Sequence, residues 1–250
     1  MAIENLPELV IRQVTPDITT FSKPFKRFGI LPFGGRSTAV RLSTGDVWVL
    51  ASTPLTPDTK SAIDNLGPVK WIMGADAVHH MFLAQFKKEY PEAKVIGVEA
   101  LIEKKKAEGL VLDGAYGKDA PDTKYGFEDE IYACYFSGFA NKATSNADVA
   151  WFHASSKTLI VADLLFNLPG NEQHSKSKSS SKVPIFGKLD PWGSVHKRFV
   201  WGQGKDKAAM TRDAKTVLGW KPDRIIMCHG DVIETDGTKA WASAYSRYLS

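Results

Sequence analysis

The sequence predicts an α/β protein in which two mixed β-sheets pack face to face with helices outside. The order of elements carries this: β-type runs first, then αβ units, then β-type runs again, then an αβα unit. A second observation comes from three apolar, buried-type strands, each leading to a residue able to bind a metal. Residues 69–73 lead through Gly74 to the adjacent pair His79-His80, residues 159–162 end on Asp163, and residues 225–228 end on His229. Active sites of open α/β sheets collect at the carboxyl ends of strands. His79, His80, Asp163 and His229 therefore form one candidate site.

Taken in order, residues 8–50 read as β. Residues 9–14 and 18–21 are rich in β-branched side chains, and residues 38–42 and 46–50 flank the turn Ser43-Thr44-Gly45 as a hairpin. Between them, residues 25–35 form a loop rich in Phe, Gly and Pro (Phe25, Phe28, Pro32, Phe33), suited to covering the core or walling a pocket. From Ala51 the pattern alternates. Thr56-Pro57-Asp58 is an N-cap with proline at the first helical position, and that helix ends near Gly67. A strand over 69–73 follows, then a helix from about Val78 to Tyr90 with Met81, Phe82, Gln85 and Phe86 in amphipathic spacing and Pro91 as its stop. Residues 94–98 read as a strand and 99–108 as a helix.

Residues 113–130 are turn-rich and read as a connection. Strands return at 131–136, 147–152 and 158–162. Residues 171–182 are dominated by Ser and Lys, a composition that packs no core, and read as a mobile surface loop. Residues 206–218 are helical, 224–228 a strand, and 238–249 a closing helix with Trp241, Ala244, Tyr245 and Tyr248 on one face. The whole of 1–250 reads as one domain.

Composition narrows the classes of function. The chain is 43% hydrophobic and 24% charged, and its 32 basic and 28 acidic residues leave a net charge of only +4. That balance argues for neither nucleic acid nor an anionic membrane as partner. Cys134 and Cys228 lie in apolar runs, where a free thiol behaves as a small hydrophobe. No apolar run approaches the ~20 residues that span a bilayer, and Met1 to Pro7 has no apolar core of signal length. The expectation is a soluble cytoplasmic protein with a small-molecule substrate.

Imidazole and carboxylate are ligands for a divalent ion such as zinc, and three or four protein ligands is the usual number. Adjacent histidines cannot face the same way on a regular helix, where neighbours on one face are three or four apart. They converge only where a strand turns into a helix, which is where His79-His80 falls. Asp76 and Asp231, beside the ligands, are candidates to orient the imidazoles or to cap their elements. His153 reads as structural and His174 as solvated, whereas His196 lies beyond the Ser/Lys loop within reach of a pocket.

At this point the chain resembles the metallo-β-lactamase superfamily, an αββα sandwich. The superfamily motif His-x-His-x-Asp-His, laid so that its last histidine is His80, covers Ala75-Asp76-Ala77-Val78-His79-His80. Asp163 matches the bridging aspartate and His229-Gly230 the final strand-end pair. The middle histidine of the superfamily would fall near residues 137–141, where there is none. The losses remove the first of two metal positions and leave His79, His80, Asp163 and His229 as the second. The resemblance implies one divalent ion, zinc with iron or manganese as alternatives, and attack of metal-bound hydroxide on an ester or lactone. Asp163 would be both ligand and catalytic group.

The His-His form is also similar to a branch that includes fungal lactonases acting on acyl-homoserine lactones. Dinuclear bacterial homoserine-lactone hydrolases carry tyrosine where this chain has Phe166; Tyr132, Tyr135 or the 25–35 loop would substitute as pocket groups. The abundant aromatics suit an apolar acyl chain. Two other readings remain open: a non-catalytic member with one structural metal, and an iron-dependent redox enzyme on the same fold.

Overall fold

A computed structural model describes residues 8–27, 29–140, 147–182 and 187–250. Met1 to Pro7, Phe28 and Asn141 lie outside the described residues. Among the described residues, the first half gives strands β1 (Val10–Thr15), β2 (Ile18–Lys23), β3 (Lys26–Arg27), β4 (Leu31–Pro32), β5 (Gly35–Arg41) and β6 (Val47–Leu50). Helix α1 (Pro57–Asp64), β7 (Val69–Met73), α2 (Leu83–Glu89), β8 (Lys94–Val98), α3 (Ile102–Ala107) and β9 (Gly114–Tyr116) follow. The second half gives β10 (Ile131–Phe136), β11 (Asp148–His153), β12 (Thr158–Val161), α4 (Asn171–His174), α5 (Ser194–Gln203) and α6 (Lys207–Gly219). It closes with β13 (Arg224–Met227), α7 (Gly237–Ala244) and α8 (Ser246–Leu249).

The large sheet has seven strands in the order β1-β2-β5-β6-β7-β8-β9, and the small sheet four in the order β10-β11-β12-β13. Both are mixed, as expected. In the large sheet the pairs up to β5–β6 are antiparallel and the β6–β9 pairs parallel, while β13 joins β12 parallel in the small one. Two apolar layers result. One lies between the sheets, where Trp48 of β6 meets Trp151 of β11 edge to face at 5.3 Å. The other lies between the small sheet and the C-terminal helices, around Phe136, Met210, Trp241 and Tyr245. No helix among the described residues is long and apolar enough to cross a membrane.

Local chemistry explains the boundaries. The Thr56 side chain accepts from the Thr59 N–H and Pro57 opens α1, as the sequence indicated. Gly67 has φ +147°, and a Cβ there would lie 2.1 Å from the Gly45 carbonyl oxygen, so only glycine lets α1 return beside the hairpin.

Several elements differ from expectation. The helix expected from Val78 begins only at Leu83. The Asp76 side chain accepts from the N–H groups of both Val78 and His79, at 2.6 and 2.7 Å, and holds residues 76–79 in a turn instead. The stretch 99–108 divides into a 3₁₀ turn and α3, the closing helix divides at Tyr245, and the connection after Asp113 contributes β9. The Ser/Lys-rich segment begins as α4, with Gln173 and His174 buried. Gln173 takes up backbone groups of Cys228 and Gly230, and His174 meets the Gly170 carbonyl, so His174 is not the solvated residue expected.

Candidate metal centre

In the small sheet, β12 and β13 run parallel with Val161 opposite Met227. Asp163 and His229 each lie two residues further on, so parallel register brings them to the same sheet end. The turn held by Asp76 brings His79 to the same point from the large sheet. Ligand atoms of His79, Asp163 and His229 all lie within 4.8 Å of one another, and the three residues are buried. Asp163 Oδ1 stands 3.2 Å from His79 Nε2 and 3.3 Å from His229 Nε2.

The outer atoms of both rings are already engaged. His229 Nδ1 lies 2.7 Å from the Gly34 carbonyl oxygen, which only accepts, so this nitrogen carries a hydrogen. In a neutral ring, Nε2 then presents a lone pair to a carboxylate oxygen. Two acceptors at that separation repel unless a proton or a metal cation lies between them. His79 Nδ1 meets the Ser52 hydroxyl at 3.2 Å. The arrangement is two imidazoles, each held from behind, aimed with a carboxylate at one point.

Electrostatics agree. Burial pushes the Asp163 carboxyl up, but the charge of His79 and the two imidazoles facing it outweigh this and hold the group well below the usual carboxylate range. Burial pulls the His79 imidazole down, and Asp76, Cys228 and Asp163 more than reverse this, lifting it well above its ordinary value. The pair behaves as imidazolium and carboxylate, the charge pattern that a divalent cation replaces.

His80, expected as the fourth ligand, is not in the cluster. The turn sends it toward α3, where burial and the charges of Lys105 and Lys104 bring its pKa down to about 4, and its Nδ1 is buried without a hydrogen-bond partner. With the superfamily motif laid one residue earlier, on Gly74 to His79, its last histidine is the one in the cluster. The orienting roles considered for the two aspartates also move. Asp76 binds backbone N–H groups rather than an imidazole, and its Oδ2 is buried without a partner. Asp231 accepts from the Asn171 amide and the Glu172 N–H, anchoring α4, while Gly34 takes the His229 ring.

Phe166 stacks on the His229 ring at 5.3 Å and 9°. Tyr135 lines a separate cleft and is not a wall of this one; Tyr132 lines that same separate cleft. His196 accepts the Phe166 N–H at 3.0 Å and packs edge-on to the Phe166 ring. His153 bonds to Ser155 and Ser156, a structural placement.

Two clefts open on the cluster. One of about 150 Å³ is bounded by Phe25, Pro54, His79, His80 and Phe82, with Lys23 and Arg27. The other, about 400 Å³, is bounded by Phe33, Asp163, Phe166, Phe199 and His229, with Arg27 and Arg198.

Supporting residues went unnoticed in the sequence. Asp148 is fully buried and accepts the Asp163 N–H at 2.9 Å, fixing the ligand's backbone. Burial, with the charges of Asp76 and Asp163, pushes its carboxyl well above the usual range. Arg36, also fully buried, donates to the carbonyls of Met227 and Gly230 on either side of Cys228-His229 and pairs with Glu172 at 3.1 Å. For Asp148 the available signal was an acid heading an otherwise largely apolar strand.

The donor set fits a divalent ion. Two imidazoles and one carboxylate leave coordination positions open, the pattern of catalytic rather than closed structural sites.

The chain is similar in fold to the VMB-1 structure solved at pH 5.5 (TM-score 0.61, 11% identity, covering 97% of this chain and 99% of that one). It is similar likewise to the DIM-1 metallo-β-lactamase exposed to ceftazidime (TM-score 0.60, 13% identity, 98% of each chain). A metallo-β-lactamase from Pontibacter korlensis gives a TM-score of 0.59 at 10% identity, over 96% of this chain and 98% of that one. These likenesses show the metallo-β-lactamase fold. No curated protein matches the chain. A family model does match residues 31–183, more than half of the chain, and the protein therefore belongs to the family described as Domain of unknown function (DUF4336).

Proposed function

We propose that this chain is a metal-dependent hydrolase that opens an ester or lactone bearing an apolar chain, using one divalent ion held by His79, Asp163 and His229. The observation that carries the reading is His229. Its Nδ1 is committed to the Gly34 carbonyl while Nε2 faces the Asp163 carboxylate, an arrangement that calls for a cation between them. The ion would supply Lewis-acid polarisation of a carbonyl and of water. The chain's own residues do the rest. His79 and His229 are held in orientation from behind by the Ser52 hydroxyl and the Gly34 carbonyl. Asp163, which lines the larger cleft, would hold the ion and take up a proton there. Phe33, Phe166 and Phe199 exclude water and receive the apolar part of the substrate, and Arg27 and Arg198 at the same cleft suit a substrate that also carries negative charge.

The donor set supports a second reading. Two histidines and one carboxylate with open positions is also the ligand pattern of non-haem iron(II) oxygenases, so an iron-dependent redox enzyme on this fold has a specific basis.

Elemental analysis of protein purified without chelator separates the two. About one zinc or manganese per chain, with hydrolysis in an ester and lactone panel that a chelator abolishes and added metal restores, is the expected result. One iron per chain in a coloured protein without hydrolysis would favour the second reading. No metal bound, and none taken up on addition, would overturn both.

A further inference from the structure

A large cleft among the described residues shares no lining residue with the two at the metal cluster. It measures about 780 Å³, within the range of small-molecule sites. It lies where both sheets end, at edge strand β9 of the large sheet and edge strand β10 of the small one. Four tyrosines line it: Tyr116, Tyr125, Tyr132 and Tyr135. Tyr116 meets Tyr125 edge to face at 5.4 Å and lies nearly parallel to Tyr135 at 6.4 Å, so three rings form a corner; Tyr132 is 43% exposed.

Charge in the cleft is one-sided. Asp119, Glu128 and Asp213 line it against a single cation, Arg212, which is bound bidentately to Asp213 at 2.8 and 3.2 Å. Asp119 is held by the Ala115 N–H and the Tyr125 hydroxyl, and Glu128 by backbone N–H groups of residues 125–127. These neutral donors orient the carboxylates without cancelling their charge. Lys118 and Lys124 of the same segment are exposed and do not line the cleft. A protein of net charge +4 thus concentrates uncompensated negative charge where its tyrosine rings cluster.

We infer that this cleft is a second ligand site, for a small organic cation such as a quaternary or alkylated ammonium group. Aromatic faces attract such a cation through the ring quadrupole, and a nearby carboxylate adds a direct charge attraction. A bare metal ion fits less well, because two carboxylates already spent on N–H and hydroxyl donors offer few free oxygens. An anion is opposed by the net charge of the lining. The site is distinct from the metal cluster in ligand class as well as place.

The test uses choline and its uncharged isostere 3,3-dimethylbutan-1-ol, each titrated at constant ionic strength into full-length metal-loaded protein and followed by NMR. Saturable choline binding without binding of the isostere at the same concentrations is expected. Tyr135→Leu, which removes one ring of the three-ring corner, should weaken choline about tenfold, and Asp119→Asn by at least as much, with metal content unchanged. Equal binding of the two compounds would make the cleft merely apolar and overturn the inference. So would the absence of saturable choline binding, or binding indifferent to both substitutions in variants shown to be folded.

Discussion

His79 and His80 are neighbours with opposite fates, and the difference is one hydrogen-bonded turn. Because the Asp76 carboxylate takes the His79 N–H, the chain turns, His79 faces Asp163, and His80 is directed to α3. Substitution should separate them. His79→Ala and His229→Ala are expected to reduce metal content from about one per chain to near zero, while His80→Ala keeps the metal; elemental analysis reads the outcome. Loss of metal in His80→Ala alone would relocate the site. A second histidine gives a pH test. His196 is fully buried, accepts the Phe166 N–H, and is held down to about 4 by burial against the weaker raising effect of Asp190. Its folded pKa lies below the unfolded value of ~6.5, so its contribution is complete above pH 6.5 and is lost as pH falls toward 4. Between pH 7 and 5 this group should remove about 2 kcal/mol from wild-type stability. His196→Gln should be less stable at pH 7 and flatter over that interval, as urea unfolding at the two pH values would show. This buried role was not legible beforehand, because a histidine in an amphipathic stretch reads the same whether its ring faces core or solvent.

At the level of elements, the three strands ending in ligands were legible because buried parallel strands are short apolar runs with abrupt polar ends. The turn before α2 was not legible, since an aspartate binding two N–H groups ahead looks in sequence like an ordinary helix start. Nor was the role of residues 171–182. A Ser/Lys composition gives no warning that Glu172 and Gln173 within it brace the turn that carries His229. Yet Arg36 from β5, Glu172 and Gln173 from α4, and Asp231 together hold the turn after β13 that carries His229. Gly230 completes the turn with φ +105°, and a Cβ there would lie 2.2 Å from the Asn167 carbonyl oxygen. Gly230→Ala should cost roughly 2–4 kcal/mol by denaturant unfolding and weaken metal binding as well. Removing the positive end of the buried Arg36–Glu172 pair is more severe. Arg36→Met leaves Glu172 with the Ser22 hydroxyl and the half-exposed Arg12 as partners and should cost about 3 kcal/mol or more. A variant as stable as wild type would show that the pair does not hold the turn.

Among the contacts that join the two sheets of the sandwich, two differ in kind, one apolar and one built from polar groups. The apolar joint is the shared layer around Trp48 and Trp151, legible in sequence as tryptophans within buried-type strands. The second joint is the cluster itself, with His79 coming from the large sheet and Asp163 and His229 from the small one. An ion bound there crosslinks the sheets, and since the unfolded chain cannot assemble the three ligands, its binding energy adds to folding. At free metal about a thousandfold above the dissociation constant, the added stability is about 4 kcal/mol. For a chain of this size each kcal/mol moves Tm by roughly 2–4 °C. Chelation of metal-loaded wild type should therefore lower Tm by about 10 °C. His229→Ala, which cannot form the crosslink, should melt at the same temperature with and without chelator, while His80→Ala should respond like wild type. If wild type and His229→Ala lost equal stability on chelation, the ion would be bound elsewhere and would not crosslink the two sheets through this cluster.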